Sequence, residues 1–369
     1  MSLASGRRRK ARGRLAFWRL PLLISFLLLC HGVLTKKPES PPPATRVVII
    51  TAGRTGSTLL GSLFNQDPTV LSIYEPCRKR HSGRKNLYDA ACGELVEKLT
   101  SCQPDADTIV DILADHSAMV FSAGLTKMAA SRVGAIGGAL LEATRRSSGG
   151  GGDGGSDDLH GLQSAASPAF DDVAMQRAAL EAAFTDACSK YSAVVAKVIR
   201  IHEVPATLGA SGIKVIELLR NPKAVVLSYL HTDGFGLGKP PAAIARNICQ
   251  QMGKAYRHLR ATVNAERFCS VKFEDIGLEP DESMSALYRC LGLGLPPRQT
   301  HEWIAENMHT NGADAKQSGR FTKHRNSTHI VLHWSDRWAD LTPQTKAAID
   351  AECGEALDTI GYSEGWRRE

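Results

Sequence analysis

The chain has 369 residues, 43% of them hydrophobic, enough for one large domain with a sizeable core or for two smaller ones. Its formal charge of +7 is unevenly spread: residues 1–37 carry nine Lys or Arg and no acid, and the remainder holds 36 basic against 38 acidic residues. The basic character belongs to the N-terminus and gives no support to nucleic-acid binding.

From Leu15 through Leu34 the sequence is almost wholly apolar, broken by Arg19, whose long side chain can snorkel to the headgroups. A membrane-spanning helix needs roughly 20 such residues. Six basic residues precede Leu15 and only Lys36 and Lys37 follow it, so the positive-inside rule puts residues 1–14 in the cytosol and everything beyond residue 35 in the lumen. We read 15–35 as an uncleaved signal anchor, because no small-x-small cleavage site is clear after Cys30. A cleaved signal peptide is the alternative, and both place the main domain in the secretory pathway. Residues 36–44, with Pro38 and Pro41-Pro42-Pro43, form a short extended stem, and the domain starts near Thr45.

The apolar run at 46–52 predicts a buried strand, 56–66 its following helix, and Val70 to Tyr74 a second strand ending at Glu75-Pro76. Residues 77–145 are mixed and mostly helical. Ser147 to Asp158 is Gly-, Ser- and Asp-rich and predicts a disordered insertion over about 147–168. Beyond it come a helix over 169–190, strands over 193–199 and 213–219, helices over 223–229 and 241–263, a last strand over 268–273, and a largely helical C-terminal third. Strands alternating with helices predict an α/β fold, a P-loop-like three-layer arrangement with a mainly parallel sheet between helices. Ligands of such sheets sit at the carboxyl ends of the strands, where Arg54, Glu75, Arg200 and Arg220 all fall.

Nine cysteines are present. Cys30 lies in the apolar segment, and the other eight form an even set that an oxidising compartment can pair, in a connectivity the sequence leaves open. No C-x-x-C or C-x-x-H cluster suggests zinc. One sequon occurs, Asn326-Ser327-Thr328.

Gly53-Arg54-Thr55-Gly56-Ser57-Thr58-Leu59-Leu60 carries the clearest chemistry. It stands between Val47-Val48-Ile49-Ile50 and the helical pattern of Leu59, Leu60, Leu63 and Phe64, which reads as strand, tight turn and helix N-terminus, an anion-binding arrangement. An ATP loop needs G-x-x-x-x-G-K-[ST]. Here the glycine spacing is too short and no lysine follows Gly56. A dinucleotide G-x-G-x-x-G would need a glycine at Thr55. Alone, the two glycines could simply make a turn. A second motif, Arg220-Asn221-Pro222 followed by Ser228, again ends a strand and opens a helix, with proline suited to the first turn.

Together the two motifs resemble the bipartite site of sulfotransferases that use 3′-phosphoadenosine 5′-phosphosulfate. Phe64-Asn65-Gln66-Asp67-Pro68 through Tyr74-Glu75-Pro76, Phe273-Glu274-Asp275-Ile276, Trp334 to Trp338, and Cys353-Gly354 through Gly361-Tyr362 resemble further elements of the membrane-bound Golgi carbohydrate sulfotransferases, whose single-pass type II layout the N-terminus also matches. The likeness covers roughly 45–362 apart from the glycine-rich insertion, and is nearest to the group sulfating the 6-hydroxyl of GlcNAc, Gal or GalNAc. Thr55 and Thr58 replace serines of the usual R-S-G-S-S, and Asn221 replaces a commoner Asp.

The resemblance implies that Arg54, Thr55, Gly56, Ser57 and Thr58 hold the 5′-phosphosulfate, that Arg220 and Ser228 hold the 3′-phosphate, and that Arg325 closes over the nucleotide. Arg54 is also the expected stabiliser of the sulfuryl group, and Glu75 the general base, with simple pairing of Glu75 to Arg54 or Arg78 as the plainer alternative. His202 is a second candidate base. Lys197 and Arg200 could contact donor or acceptor, or lie on the surface. The implied partners are a glycan acceptor on a glycoprotein or proteoglycan and the Golgi membrane, with no metal. A homo-oligomer is compatible with this layout. Two other readings stand beside this one. An atypical P-loop kinase would need ATP and magnesium, and the missing G-K-[ST] counts against it. A catalytically degenerate, membrane-anchored glycan-binding homologue would keep its glycan affinity after Arg54→Ala.

Overall fold

A computed structural model describes residues 45–77, 90–115, 122–148, 170–199, 211–231, 238–308 and 337–362. The apolar segment at 15–35, the insertion beyond Ser148, the sequon at Asn326, and Arg78, Arg200, His202 and Arg325 lie outside these residues. Among the described residues no helix is long and apolar enough to cross a membrane.

Five strands form one sheet: β1 (Thr45–Thr51), β2 (Val70–Tyr74), β3 (Ala193–Ile199), β4 (Lys214–Leu219) and β5 (Phe268–Lys272). Their order is β2-β3-β1-β4-β5 and every pairing is parallel. Parallel strands are buried on both faces, which explains the unbroken apolar runs Val47-Val48-Ile49-Ile50 and Ala193-Val194-Val195-Ala196. The period of two sorts them: Val48 and Ile50 enter one core cluster, Val47 and Ile49 the other.

The first face is covered by α2 (Ala90–Thr100), α3 (Ala106–Leu113), α4 (Ala123–Ala129), α5 (Arg132–Ser148) and α6 (Phe170–Cys188). The second is covered by α1 (Ser57–Phe64) together with α9 (Phe273–Leu278), α10 (Pro280–Leu291) and α11 (Arg298–Met308). A third cluster joins α7 (Pro222–Leu230), α8 (Pro241–Thr262) and α12 (Pro343–Thr359). Helices thus flank a parallel sheet in the expected three layers. The segment over 77–145, for which the sequence offers only a general helical character, resolves in its described parts into four separate helices.

The eight cysteines beyond residue 44 form four disulfides: Cys77–Cys92, Cys102–Cys188, Cys249–Cys353 and Cys269–Cys290. Two of them close loops with sequence separations of 86 and 104 residues; a disulfide typically stabilises a fold by about 2–4 kcal/mol, more as the closed loop lengthens. Cys249–Cys353 fastens α12 to α8, so the C-terminal helix is held beside the helices that follow β4.

The order of the strands fixes where a ligand can bind. From β1 the chain runs outward to β2, returns to β3, then crosses to β4 on the other side of β1. The crevice at that reversal opens at the carboxyl ends of β1 and β4. Those two ends carry the two motifs.

Candidate active site

The first motif is a turn made from left-handed backbone. Arg54 has φ 67° and Gly56 φ 88°. Gly56 is the N-cap of α1 and brings no side-chain cap, so the first N–H groups of the helix point outward with the positive end of its dipole. A side chain at Gly56 would be strained on two counts. Its backbone is left-handed, and a Cβ would stand 2.1 Å from the Phe273 ring.

Hydroxyls rivet this turn to the sheet. Thr51 Oγ1 lies 2.8 Å from the Leu218 carbonyl and Thr55 Oγ1 lies 2.9 Å from the Ala52 carbonyl, and the two hydroxyls are in contact, so their two protons are shared among these three bonds. Thr55 is fully buried. Its hydroxyl is turned inward, so any part it plays toward an anion falls to its main chain. Ser57 and Thr58 open α1, and Thr58 is half-buried.

The second motif is built differently. Asn221 is the N-cap of α7, its side-chain oxygen accepting the Lys223 N–H at 2.9 Å, with Pro222 in the first turn. Asn performs this capping as well as Asp does, so the substitution is silent at that level. Arg220 is 9% exposed. Its Nη1 donates to the Arg54 carbonyl at 2.9 Å, and its guanidinium lies 4.6 Å from the centroid of the Phe273 ring. Its buried Nε has no hydrogen-bond partner among the described residues. Burial lowers the Arg220 pKa, with Glu274 opposing that shift and Arg54 adding to it.

The two motifs meet. Arg54, exposed, donates from Nε to Ser228 Oγ at 3.0 Å across 174 residues of sequence. Together with the bond from Arg220 to the Arg54 carbonyl, this makes two cross-links between them. Arg220 thereby steadies a left-handed non-glycine residue, a conformation costing about 1–2 kcal/mol.

Glu75 follows β2 directly, with φ 44°, also left-handed. Its carboxylate accepts from Lys197 Nζ at 3.0 Å, and Lys197 also donates to Thr58 Oγ1 at 3.3 Å and lies 3.8 Å over the Tyr74 ring. The Lys197 side chain is 2% exposed, so the surface reading of this lysine is excluded. Its signal in the sequence was a single cation inside the apolar run Ala193–Ile199. Glu75 accordingly pairs with Lys197, a partner the sequence reading did not name.

Three cations therefore converge at the carboxyl ends of β1, β3 and β4: Arg54, Lys197 and Arg220. An uncapped helix start, a glycine turn without room for a side chain, and a buried guanidinium with an unused donor together suit a phosphorylated anion. Among the described residues no group of three or more His, Cys, Asp or Glu gathers to hold a metal.

A parallel sheet with a candidate anion site at its reversal, split between a glycine turn and an arginine-headed helix, defines a P-loop-like α/β protein. The chain belongs to the sulfotransferase family: residues 44–361 match the sulfotransferase domain. It is 26% identical over 379 residues to carbohydrate sulfotransferase 6 of Homo sapiens, covering 92% of this chain and 87% of that one. It is 24% identical over 385 residues to carbohydrate sulfotransferase 5 of Mus musculus, covering 95% and 90%. The solved sulfotransferase domain from the curacin biosynthetic pathway superposes with a TM-score of 0.45 at 15% identity, over 87% of this chain and 99% of that one.

Proposed function

We propose that the protein transfers a sulfuryl group from 3′-phosphoadenosine 5′-phosphosulfate to a sugar hydroxyl, the 6-hydroxyl of GlcNAc, Gal or GalNAc on a glycoprotein or proteoglycan. In this reading it works in the Golgi lumen, anchored by residues 15–35. The observation that carries the reading is the contact between Arg54 and Ser228, which makes the two phosphate motifs one site. The sugar acceptor is supported by the likeness to the carbohydrate sulfotransferases.

When bound, the donor supplies an activated sulfur, whose bond to the phosphate oxygen breaks as the sugar oxygen bonds to it. The protein's own groups do the rest. The main-chain N–H groups of Gly56, Ser57 and Thr58, with the hydroxyls of Ser57 and Thr58, hold the 5′ end. Arg220 and Ser228 hold the 3′-phosphate, and Arg325 covers the nucleotide. Arg54 leaves Ser228 to meet the charge on the sulfuryl and departing phosphate oxygens, a role suited to a planar, permanently charged group. Glu75 takes the proton from the sugar hydroxyl, and Lys197 holds that carboxylate beside the first turn of α1.

Incubating the full chain in detergent with labelled donor and a panel of glycans tests the proposal. Transfer to a 6-hydroxyl is the expected result; no transfer to any glycan, together with no binding of adenosine 3′,5′-bisphosphate, overturns it. Glu75→Gln is expected to lower kcat about 100-fold or more while leaving the donor dissociation constant within about twofold.

A further inference from the structure

The segment Phe273-Glu274 and the residue Tyr362 lie in motifs that the reaction above leaves without work. Phe273 follows β5 directly and is buried. One edge of its ring fills the space where Gly56 has no side chain, and the Arg220 guanidinium lies over its face. A single ring therefore touches the turn of the first motif and the arginine of the second.

Glu274 is 1% exposed. Its Oε1 accepts the main-chain N–H of Asn221 at 2.9 Å, and its Oε2 accepts the hydroxyl of Tyr362 at 2.6 Å. Tyr362 comes nine residues after Cys353, which Cys249 ties to α8. A buried carboxylate is costly unless its oxygens are engaged. Here they are engaged by the cap residue of α7 on one side and by the C-terminal segment on the other, and Arg220 stands close enough to offset the charge. Burial pushes the Glu274 carboxyl and the Tyr362 hydroxyl upward, so the tyrosine keeps the proton it donates.

We infer that Phe273, Glu274 and Tyr362 are positioning residues that hold the two phosphate motifs at one separation, and so set the preference for a nucleotide phosphorylated at both its 5′ and 3′ positions. The inference rests on the proposed donor. A brace of this kind acts on a ligand that spans both motifs, because such a ligand gains from their preset spacing. A ligand engaging only the first motif is nearly indifferent to it. A carboxylate that merely held the fold together would change both affinities alike.

The test is calorimetric titration of adenosine 3′,5′-bisphosphate and adenosine 5′-phosphate into the parent protein and three variants, with circular dichroism as the check on folding. Tyr362→Phe removes only the hydroxyl, and is expected to weaken the bisphosphate about fivefold and the monophosphate less than about twofold. Glu274→Ala, which also orphans the Asn221 N–H, is expected to weaken the bisphosphate about tenfold or more. Glu274→Gln keeps an acceptor for that N–H and is expected to stay within about threefold of the parent. If Glu274→Ala fails to fold, Tyr362→Phe carries the test. Folded Tyr362→Phe protein that binds both nucleotides as the parent does, or loses both in equal proportion, overturns the inference and leaves the donor reading standing. A parent that does not prefer the bisphosphate overturns the donor reading, and the inference with it.

Discussion

The two candidate anion motifs occupy equivalent places, each between a parallel strand and a helix, yet they are built in opposite ways. At the end of β1 the helix start is uncapped, the turn is left-handed, and the one charged side chain, Arg54, is exposed. At the end of β4 the helix is capped by Asn221, and the charged side chain, Arg220, is buried. The first motif offers main chain and a movable cation. The second offers a fixed cation, held from behind by Phe273 and Glu274. Stored strain and an open helix end suit the place where charge must shift during a reaction. A rigid, desolvated arginine suits a phosphate that only needs to be recognised.

This contrast predicts different kinds of damage. The largest effect is expected from Gly56→Ala, where a left-handed alanine and a collision with the Phe273 ring disturb both motifs at once. Donor affinity should fall about 100-fold or more and the thermal midpoint should drop. Next come the two arginines. Arg54→Ala should lower kcat about 100-fold or more with an unchanged thermal midpoint, since the side chain is exposed. Arg220→Ala should lose donor affinity and also about 3 kcal/mol of stability, because it leaves the Arg54 carbonyl without its donor and removes the charge that offsets the buried Glu274 carboxylate. Denaturation curves and steady-state kinetics on both variants check this. Equal stabilities for Arg54→Ala and Arg220→Ala would erase the distinction between the motifs.

The contrast was only half legible in the sequence. The strands were, to within a residue at each end, because apolar runs of this length bounded by glycine and proline have few other readings in an alternating α/β pattern. Both motifs and the residues at the strand ends were legible for the same reason: they sit where periodicity breaks. What pairs with what was not. Lys197 reaching Glu75 depends on β3 lying between β1 and β2, so that Tyr74 stands opposite Lys197, and strand order is not written in any one strand. The Phe273 ring over Gly56 and the cysteine pairings are likewise products of the packed layers. The inward turn of the Thr55 hydroxyl depends on Thr51, four residues earlier, which reads simply as the last residue of a strand. Thr55 shares a buried hydroxyl with it and so spends its side chain on the turn.

The side of the sheet behind the second motif also carries a pH-sensitive group. Glu217, three residues before Arg220 on β4, is 4% exposed, and one of its carboxyl oxygens has no hydrogen-bond partner among the described residues. Burial pushes its pKa from 4.5 up to about 8, with Arg260 pulling weakly the other way. Between those two values the folded chain holds a proton that the unfolded chain releases, so stability falls as pH rises from about 4.5 to about 8 and the full penalty remains above it. Glu217→Gln should flatten that slope. The variant is expected to match the parent near pH 4.5 and to exceed it by a few kcal/mol at pH 9, read from urea denaturation at both values. The same slope in parent and variant would place the titration elsewhere.

The smallest effect is the most informative about whether the two motifs act as one. Ser228→Ala removes a hydroxyl that accepts from Arg54 and that we assign to the 3′-phosphate. The donor KM should rise about fivefold, with kcat within about twofold, since one hydrogen bond to a charged partner is at stake. Its deeper use is in a cycle with Arg54→Ala. Groups in contact deviate from additivity by about 0.5–3 kcal/mol, whereas distant independent sites add within about 0.5 kcal/mol. If the movable cation of the first motif is held by the second until the donor arrives, the double variant should lose more donor affinity than the two single losses combined, because each single variant already escapes the cost of breaking that contact. Strict additivity would mean that the Arg54–Ser228 contact carries no energy, and that the motifs recognise their phosphates independently.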